Sequence, residues 1–189
     1  VSTRASHPGD NDPVEIPADP KDTPQPAKIP MRTKEYAQTV QEARRNGRCF
    51  ICRIVDRTHS YSHHVVYEDE DTIVFLDRYP TLTGYCLVSP RRHAEDWVRD
   101  FSEAEFLAFQ GVVHRVARAI TAVVPTERMY TMSLGSQLAN AHVHWHVAPL
   151  PPGVPYEQQE YSAVSKGNGI LDIPEPDQAE LARAIGSHL

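Results

Sequence analysis

Hydrophobic and polar positions alternate, or apolar residues run together for a few positions, in five short stretches of the chain. These stretches predict strands at 64–68, 72–77, 84–89, 129–134 and 142–149. Acidic or Pro, Thr and Gly turns separate the first three, as a meander requires. Because a long helical pattern lies between the third and fourth, we expect an α+β fold. Its antiparallel sheet would have about five strands, with the long helix packed on one face.

The long helix has clear start and stop signals. Ser102 and Glu105 have the spacing of a capping box, and Pro125 ends the apolar periodicity. Two shorter helices are predicted, at 33–46 and near the C-terminus, where Asp177 would provide the N-cap. The expected buried positions are Phe106, Phe109, Val113, Val116, Ile120 and Val123 in the long helix and Leu181 and Ile185 in the last one.

Composition divides the chain into three parts. Seven of the 16 prolines fall in residues 1–30, which contain almost no large apolar side chain. Such a segment cannot bury enough surface to order itself, so residues 1–31 are predicted to be an extended arm. An arm that wraps a partner subunit is the alternative. Residues 32–150 would form the main folded domain, and residues 151–189 a loop and short helix packed on it.

Charge and cysteine content narrow the function classes. The net charge of −6 argues against broad nucleic-acid binding, and no apolar run is long enough to cross a membrane. The first 20 residues lack the apolar core of a secretory signal, and three cysteines cannot build a disulfide framework. We therefore expect a cytoplasmic protein without membrane or nucleic-acid partners.

Three of the ten histidines alternate with apolar residues. In a strand, His142, His144 and His146 would share one face while the residues between them pack on the core. Neighbouring imidazoles could chelate a metal, but the outer pair would be about 13 Å apart at a rise of roughly 3.3 Å per residue. A division of roles is the other interpretation, with one histidine as nucleophile or base and a second holding it in place.

Cys49 and Cys52 form a CxxC motif, which alone fits a zinc half-site, a redox pair or coincidence. A redox pair is expected in a βαβ unit, and the predicted elements contain none. His93 and one histidine of the 142–149 strand would complete a Cys₂His₂ zinc site. Cys86 lies in an apolar strand and is predicted to be a buried small side chain.

These motifs together resemble the histidine-triad (HIT) family. His142-Val-His-Trp-His-Val-Ala148 matches the pattern His-φ-His-φ-His-φ-φ, where φ is apolar. The upstream block, CFICRIV…VVYEDEDTIVFLDRYPTLTGYCLVSPRRH, is similar to the family's N-terminal signature. The resemblance covers roughly residues 48–150 and implies an enzyme acting at the α-phosphate of a nucleoside phosphate derivative, and a homodimer.

The resemblance also implies roles for individual residues. His144 would be the nucleophile that forms a nucleotidyl-histidine, and His146 would hydrogen-bond near the phosphate and leaving group. His142 would orient the nucleophile, and Asp77 would hold the ribose hydroxyls. No magnesium is expected to be required. In zinc-bearing members, the residues equivalent to Cys49, Cys52, His93 and His142 hold a structural zinc ion.

Two departures from the family pattern affect recognition of the leaving group. Ala139 stands where a hydroxyl residue is expected, and Gly84-Tyr85 replaces the usual Gly-His. The remaining nucleotide-binding residues are predicted to be Ser136, Gln137 and Asn140. Because the third triad position is histidine, whereas the uridylyltransferase branch has glutamine, hydrolysis is favoured. A nucleotidyl transferase and a nucleotide-binding protein with little turnover are the alternatives.

Overall fold

The computed structural model describes residues 26–30, 49–58, 63–135 and 141–189. The helix predicted at 33–46 and most of the proposed arm lie outside these residues. No helix in the described ranges has the length and hydrophobicity needed to cross a bilayer.

Five strands form one antiparallel sheet, as the sequence predicted. The strands are β1 (Lys28–Ile29), β2 (Val65–Glu68), β3 (Thr72–Leu76), β4 (Cys86–Pro90), β5 (Arg128–Met132), β6 (Trp145–Leu150) and β7 (Ile170–Leu171). The order in the five-stranded sheet is β2-β3-β4-β6-β5, and a separate ladder joins β1 to β7. The helices are α1 (Phe50–Val55), α2 (Trp97–Asp100), α3 (Glu103–Val123), α4 (Tyr161–Val164) and α5 (Glu175–Gly186), with 3₁₀ turns at Tyr156–Gln158 and Lys166–Asn168.

One face of the sheet packs against the long helix α3 and the C-terminal helix α5. The capping box at Ser102 and Glu105 is present, and α3 buries an apolar stripe against the strands. The strand side chains pointing to this face include every second residue of β3, β4 and β6. The resulting core contains Val74, Leu76, Cys86, Val88, Val143, Trp145 and Val147 together with Phe109, Val113, Val116, Ile120 and Ile185.

The opposite face of the sheet is covered by two separate groups. At one end α1 packs Ile51 and Ile54 onto Phe75 and its neighbours. At the other end Ala163 of α4 packs near Tyr85, Ala148 and Leu150. Burial on both faces explains why β3 and β4 are buried throughout instead of alternating. The alternating histidines point to this second face.

The last helix begins earlier than the sequence predicted. It starts at Glu175 after Pro174, with Pro176 in its first turn, so Asp177 lies inside the helix and is not the N-cap. Proline is tolerated in the first turn, where its missing N–H has no helical acceptor, so Pro176 does not delay the start. Ile185 is buried and Leu181 packs at the edge of the core.

The histidine strand is shorter than predicted. Strand β6 begins at Trp145, and the N–H of Val143 donates to the carbonyl of Ala94 in the loop after β4. Alternation of side chains nevertheless continues upstream, because Val143 joins the same core as Trp145. Residues 151–176, predicted as loop, also contain the short elements around α4 and β7. Alternation could not reveal that the CxxC motif begins a helix, α1.

Candidate active site and metal cluster

His144 lies at the centre of the site, buried just before β6. Its Nδ1 lies 2.7 Å from the backbone carbonyl of His142, which can only accept, so Nδ1 carries the proton. The Nε2 lone pair is therefore available for attack. Burial lowers the pKa of His144 below the ordinary histidine value, although the His142 carbonyl and the carboxylate of Asp77 oppose this. The ring is consequently neutral at pH 7.

His146 lies beside it, with the two ring centroids 4.8 Å apart. The Tyr85 hydroxyl lies 3.1 Å from Nδ1 of His146. Burial, and then the neighbouring His144, lowers the pKa of His146 to about 4, so this ring is neutral too. Burial and the nearby Asp77 raise the pKa of Tyr85, which keeps its hydroxyl a donor. Nδ1 of His146 accepts a hydrogen bond from the Tyr85 hydroxyl, so the ring proton of His146 is on Nε2.

The turn before β4 places Tyr85. Gly84 adopts a φ of +80°, a region that L side chains rarely enter, and an added Cβ would lie 2.9 Å from Val124. Tyr85 then accepts the N–H of Asp77 on its carbonyl over 2.8 Å and is itself almost fully buried. The Gly-Tyr pair thus fixes a phenol where the sequence motif usually has a histidine.

Asp77 follows β3 and is only 4% exposed. Its Oδ1 accepts the N–H of Tyr79 over 2.8 Å and the ammonium of Lys166 over 2.9 Å. Lys166 Nζ also lies 2.9 Å from Oδ2, but Oδ2 has no partner with hydrogen-bond geometry. Burial opposes ionisation of Asp77, yet Lys166 and the Tyr79 N–H outweigh it and the pKa of Asp77 is lowered.

Four further side chains converge at the start of α1. Sγ of Cys49 lies 3.3 Å from Nδ1 of His142, and Sγ of Cys52 lies 3.3 Å from Nδ1 of His93 and 3.6 Å from that of His142. All four ligand atoms lie within 4.8 Å of one another. With zinc–sulfur bonds of about 2.3 Å and zinc–nitrogen bonds of about 2.0 Å, a tetrahedral site has sulfur–nitrogen edges of about 3.5 Å. The spacing fits a tetrahedral metal ion.

The surrounding hydrogen bonds leave the correct nitrogens free for a metal. Nε2 of His142 lies 3.0 Å from the carbonyl of Pro90, and Nε2 of His93 lies 3.1 Å from a carboxylate oxygen of Glu95. Each Nε2 therefore carries the proton, and each Nδ1 presents a lone pair to the thiols, the arrangement that metal-bound histidines adopt. Without a cation, burial and the adjacent Cys49 raise the pKa of Cys52 to about 12. A metal ion would favour the thiolate form.

His142 joins the two parts of the site. Its imidazole belongs to the metal cluster, while its carbonyl holds His144. The next carbonyl along, that of Val143, accepts a hydrogen bond of 2.9 Å from the buried hydroxyl of Ser89. Any orienting effect of His142 on His144 therefore passes through its backbone oxygen and not through its ring.

The structure brings together all of the predicted metal ligands, two triad imidazoles and Asp77. The predicted nucleotide-binding residues Ser136, Gln137 and Asn140 lie outside the described residues. Sequence reasoning gave no role to Tyr85 or Lys166. The departure from Gly-His at Tyr85 was a usable signal, whereas Lys166 lies in a segment without periodicity and offered none.

This geometry agrees with comparisons to known proteins. The sequence model of the HIT domain family matches residues 58–152, which are half of the chain. The chain belongs to the HIT domain family. Among its relatives, an uncharacterized HIT-like protein of Saccharolobus solfataricus is 28% identical over 105 residues, which are 53% of this chain and 73% of that protein. The protein Hit of Bacillus subtilis is 29% identical over 104 residues, 53% of this chain and 70% of the relative.

Solved structures of HIT proteins share the fold. A hypothetical histidine triad nucleotide-binding protein from Sulfolobus tokodaii has a TM-score of 0.59 at 24% identity, covering 74% of this chain and 91% of its own. A Zn-bound histidine triad family protein from Mycobacterium smegmatis has a TM-score of 0.56 at 23% identity, with the same coverage of 74% and 91%.

Three of the site residues described above lie outside the HIT domain match. His93 and the three triad histidines lie inside residues 58–152, whereas Cys49 and Cys52 precede this range and Lys166 follows it. The metal cluster and the Asp77 ion pair are therefore each built by one HIT-domain part and one flanking segment.

Proposed function

We propose that this HIT protein is a hydrolase that cleaves nucleoside phosphate derivatives at the α-phosphate through a nucleotidyl-His144 intermediate. The observation that carries the proposal is the 2.7 Å contact from His144 Nδ1 to the carbonyl of His142. It directs the basic lone pair of a neutral imidazole out of the ring at Nε2. Dinucleoside polyphosphates, phosphoramidates and adenylates are the substrate types that this chemistry suits.

In the first step, Nε2 of His144 attacks the α-phosphorus. A nitrogen–phosphorus bond forms while the bond from phosphorus to the leaving group breaks, and negative charge builds up on the departing atom. His146 supports this step because its Nδ1 accepts from Tyr85, so that its Nε2–H can donate a hydrogen bond to the departing atom. Covalent catalysis of this kind divides one difficult displacement into two easier ones.

In the second step, water replaces His144 on phosphorus. The water forms a bond to phosphorus while the nitrogen–phosphorus bond breaks, and one water proton passes to solvent or to the departed leaving group. His144 is regenerated with its Nδ1 proton still on the carbonyl of His142. The products are the nucleoside monophosphate, the leaving group and the proton that water released.

Asp77 is proposed to hold the ribose. It is the buried carboxylate whose Oδ2 has no hydrogen-bond partner, and its charge acts on both His144 and His146. A carboxylate accepts hydrogen bonds from two vicinal hydroxyls. Ser136, Gln137 and Asn140 remain predicted nucleotide-binding residues.

The proposal is tested by following the covalent intermediate. Wild-type protein mixed with a nucleotide conjugate labelled at the α-phosphate and quenched should carry label that is stable to base and labile to acid, as phosphoramidates are. His144→Ala should carry none and lose turnover by several orders of magnitude. His114→Ala, on an exposed position of α3, removes an imidazole elsewhere and should behave like wild type.

Product analysis separates the alternatives. Nucleoside monophosphate as the sole nucleotide product supports a hydrolase, whereas a nucleoside diphosphate or nucleotide sugar, formed with phosphate or a sugar phosphate as acceptor, indicates a transferase. Tight nucleotide binding without label on His144 indicates a binding protein with little turnover. Turnover retained in His144→Ala contradicts both enzymatic interpretations.

The ion held by the metal cluster is proposed to be a structural zinc ion. Two thiols and two imidazole nitrogens are the donors that zinc prefers, and the histidine triad protein of Mycobacterium smegmatis is a zinc-bound relative in fold. Bound zinc would act as a Lewis acid only on its own ligands, since four protein groups fill its coordination. It would tie α1 to the segment that carries His144. Metal analysis of the purified protein tests the identity of the ion.

The homodimer implied by the family resemblance and the cytoplasmic location expected from composition remain predictions. Sedimentation of the full chain tests the first, and fractionation of the source cells tests the second.

A further inference from the structure

Lys166 covers the carboxylate that is proposed to bind the ribose. Its ammonium lies 2.9 Å from both oxygens of Asp77 and forms a hydrogen bond to Oδ1. Oδ2 is buried without a hydrogen bond, so this oxygen retains a lone pair for a donor. Because the ammonium also lies 2.9 Å from Oδ2, a ribose hydroxyl that binds this oxygen would compete with Lys166 for it.

The backbone that carries Lys166 is firmly held. In the same 3₁₀ turn, the side-chain amide of Asn168 donates to the carbonyl and hydroxyl of Ser162 over 3.0 and 3.1 Å. A few residues later, the N–H of Leu171 donates to the carbonyl of Pro80 over 2.7 Å, and β7 pairs with β1. The lysine side chain itself is 29% exposed. Movement of the ammonium therefore needs only side-chain rotation.

The ion pair also lies close to the reacting groups. The charges of Asp77 and Lys166 act with opposite sign on the imidazoles of both His144 and His146. Moving the ammonium away from Asp77 leaves a buried carboxylate uncompensated, which is costly unless another anion keeps the ammonium nearby. A nucleotide brings that anion, because its α-phosphate must lie within reach of His144.

We propose that Lys166 is a substrate-binding residue that selects nucleotides over nucleosides, by leaving Asp77 for a phosphate oxygen as the ribose hydroxyls engage Asp77. The proposal rests on the proposed function, since it uses the same phosphate position. A nucleoside alone displaces the ammonium and gives it no new partner, so it binds weakly. A nucleoside monophosphate gives Asp77 the ribose hydroxyls and gives Lys166 a phosphate oxygen at the same time.

The experiment compares binding of a nucleoside and its monophosphate to the full chain by titration calorimetry. Adenosine with AMP and guanosine with GMP serve as probes, since the preferred base is not assumed. Wild type should bind the monophosphate more tightly. In Lys166→Met, affinity for the monophosphate should fall by about 10-fold to 100-fold, the usual effect of losing a charge-assisted hydrogen bond. Affinity for the nucleoside should be unchanged or higher.

Three further variants serve as controls. Lys166→Arg keeps the charge and should retain the preference for monophosphate. Lys28→Met removes the same charge from the adjoining β1 strand and should leave both affinities as in wild type. If Lys166→Met unfolds because Asp77 is left uncompensated, the double variant Asp77→Asn/Lys166→Met removes both charges. This variant must then show the same loss of preference.

The outcomes separate the two proposals. A wild-type protein that binds neither monophosphate contradicts both the Lys166 proposal and the proposed function. Binding of the monophosphate with an unchanged ratio to the nucleoside in Lys166→Met overturns only the role of Lys166. If wild type carries no label on His144, while the ratio of monophosphate to nucleoside affinity falls in Lys166→Met as expected, only the hydrolase mechanism is overturned.

Discussion

The hydroxyl of Tyr85, the residue just before β4, lies 3.1 Å from Nδ1 of His146 on β6. The two strands pair Leu87 with His146. The two rings meet edge to face, with centroids 5.8 Å apart. Because the pKa of Tyr85 is raised, the phenol remains a donor across the range in which proteins are handled. A tyrosine thus sets which nitrogen of His146 bears the proton.

Tyr85→Phe should lower kcat by about tenfold, with little effect on KM. The variant removes a neutral hydrogen bond, which contributes about 0.5–1.5 kcal/mol, and frees His146 to exchange tautomers. Only the tautomer with hydrogen on Nε2 can donate a hydrogen bond to the departing atom. Steady-state kinetics on a nucleotide conjugate with a poor leaving group should show the effect most strongly.

Tyr130→Phe is the matched control for that variant. Tyr130 packs in the same apolar cluster as Tyr85, but its hydroxyl accepts the N–H of Glu160 over 3.0 Å. The Tyr130→Phe variant should have a slightly changed free energy of unfolding and the same kcat as wild type. Equal loss of kcat in both variants would show that Tyr85 acts through packing alone.

Gly84→Ala should reduce both stability and turnover. The added methyl group would enter a region of φ that favours glycine and would lie 2.9 Å from Val124, displacing the turn that carries Tyr85. Gly153 has the same φ of +80° and open space around it, so Gly153→Ala isolates the backbone contribution of about 1–2 kcal/mol. Denaturant unfolding should show a larger loss for Gly84→Ala. Normal turnover in Gly84→Ala would contradict the proposed link to Tyr85.

The free energy of unfolding should fall as the pH drops from about 6.5 towards 4. The pKa of His146 is about 4 in the folded protein, below the ordinary value of about 6.5 that the unfolded chain has. The unfolded state therefore binds more protons in this window, and stability is retained above it. Urea unfolding of His146→Gln should show a shallower dependence, by at most about 1.4 kcal/mol per pH unit. An unchanged slope would mean that His146 is not held neutral.

Chelation should lower the unfolding temperature by about 10 °C while turnover at low temperature persists. A structural zinc ion stabilises only the folded state, so its removal acts through stability and not through the chemical step. Differential scanning calorimetry with and without a chelator measures the shift. Cys49→Ser should show a lower unfolding temperature and a smaller response to chelator.

Cys86→Ala provides the comparison, since Cys86 is buried in the core between the sheet and α3, and is not one of the four metal-ligand residues. The Cys86→Ala variant should be less stable because of lost packing, yet its response to chelator should match that of wild type. If both cysteine variants respond alike, the cluster does not hold the ion. Immediate loss of turnover on chelation, in protein that is still folded, would indicate a catalytic ion instead.

Local patterns predicted much of the fold. The capping box and the apolar stripe of α3 depend on residues close in sequence, and the alternation around His144 set the side-chain direction even upstream of β6. The N-cap at Asp177 was wrong because a first-turn proline hides the true start of α5. The ends of β6 depend on the loop at Ala94, which no local pattern reports.

Contacts between distant segments explain what the sequence could not predict in the site. Spacing and ligand chemistry suggested the CxxC motif, His93 and one histidine of the triad strand, and the family resemblance singled out His142. Lys166 reaches Asp77 from 89 residues away, through a segment held by isolated hydrogen bonds. The hydrogen bond from Tyr85 to His146 likewise depends on strand register, which only the folded sheet defines.

The ladder between β1 and β7 has a consequence for how such proteins diversify. The triad histidines lie on and just before β6 in the matched family domain, whereas Lys166 lies in the connection between β6 and α5, outside that match. This connection pairs with β1 through β7. Grafting residues 154–171 together with their β1 partner onto another member of the family should therefore transfer a preference for ligands and leave its chemistry intact.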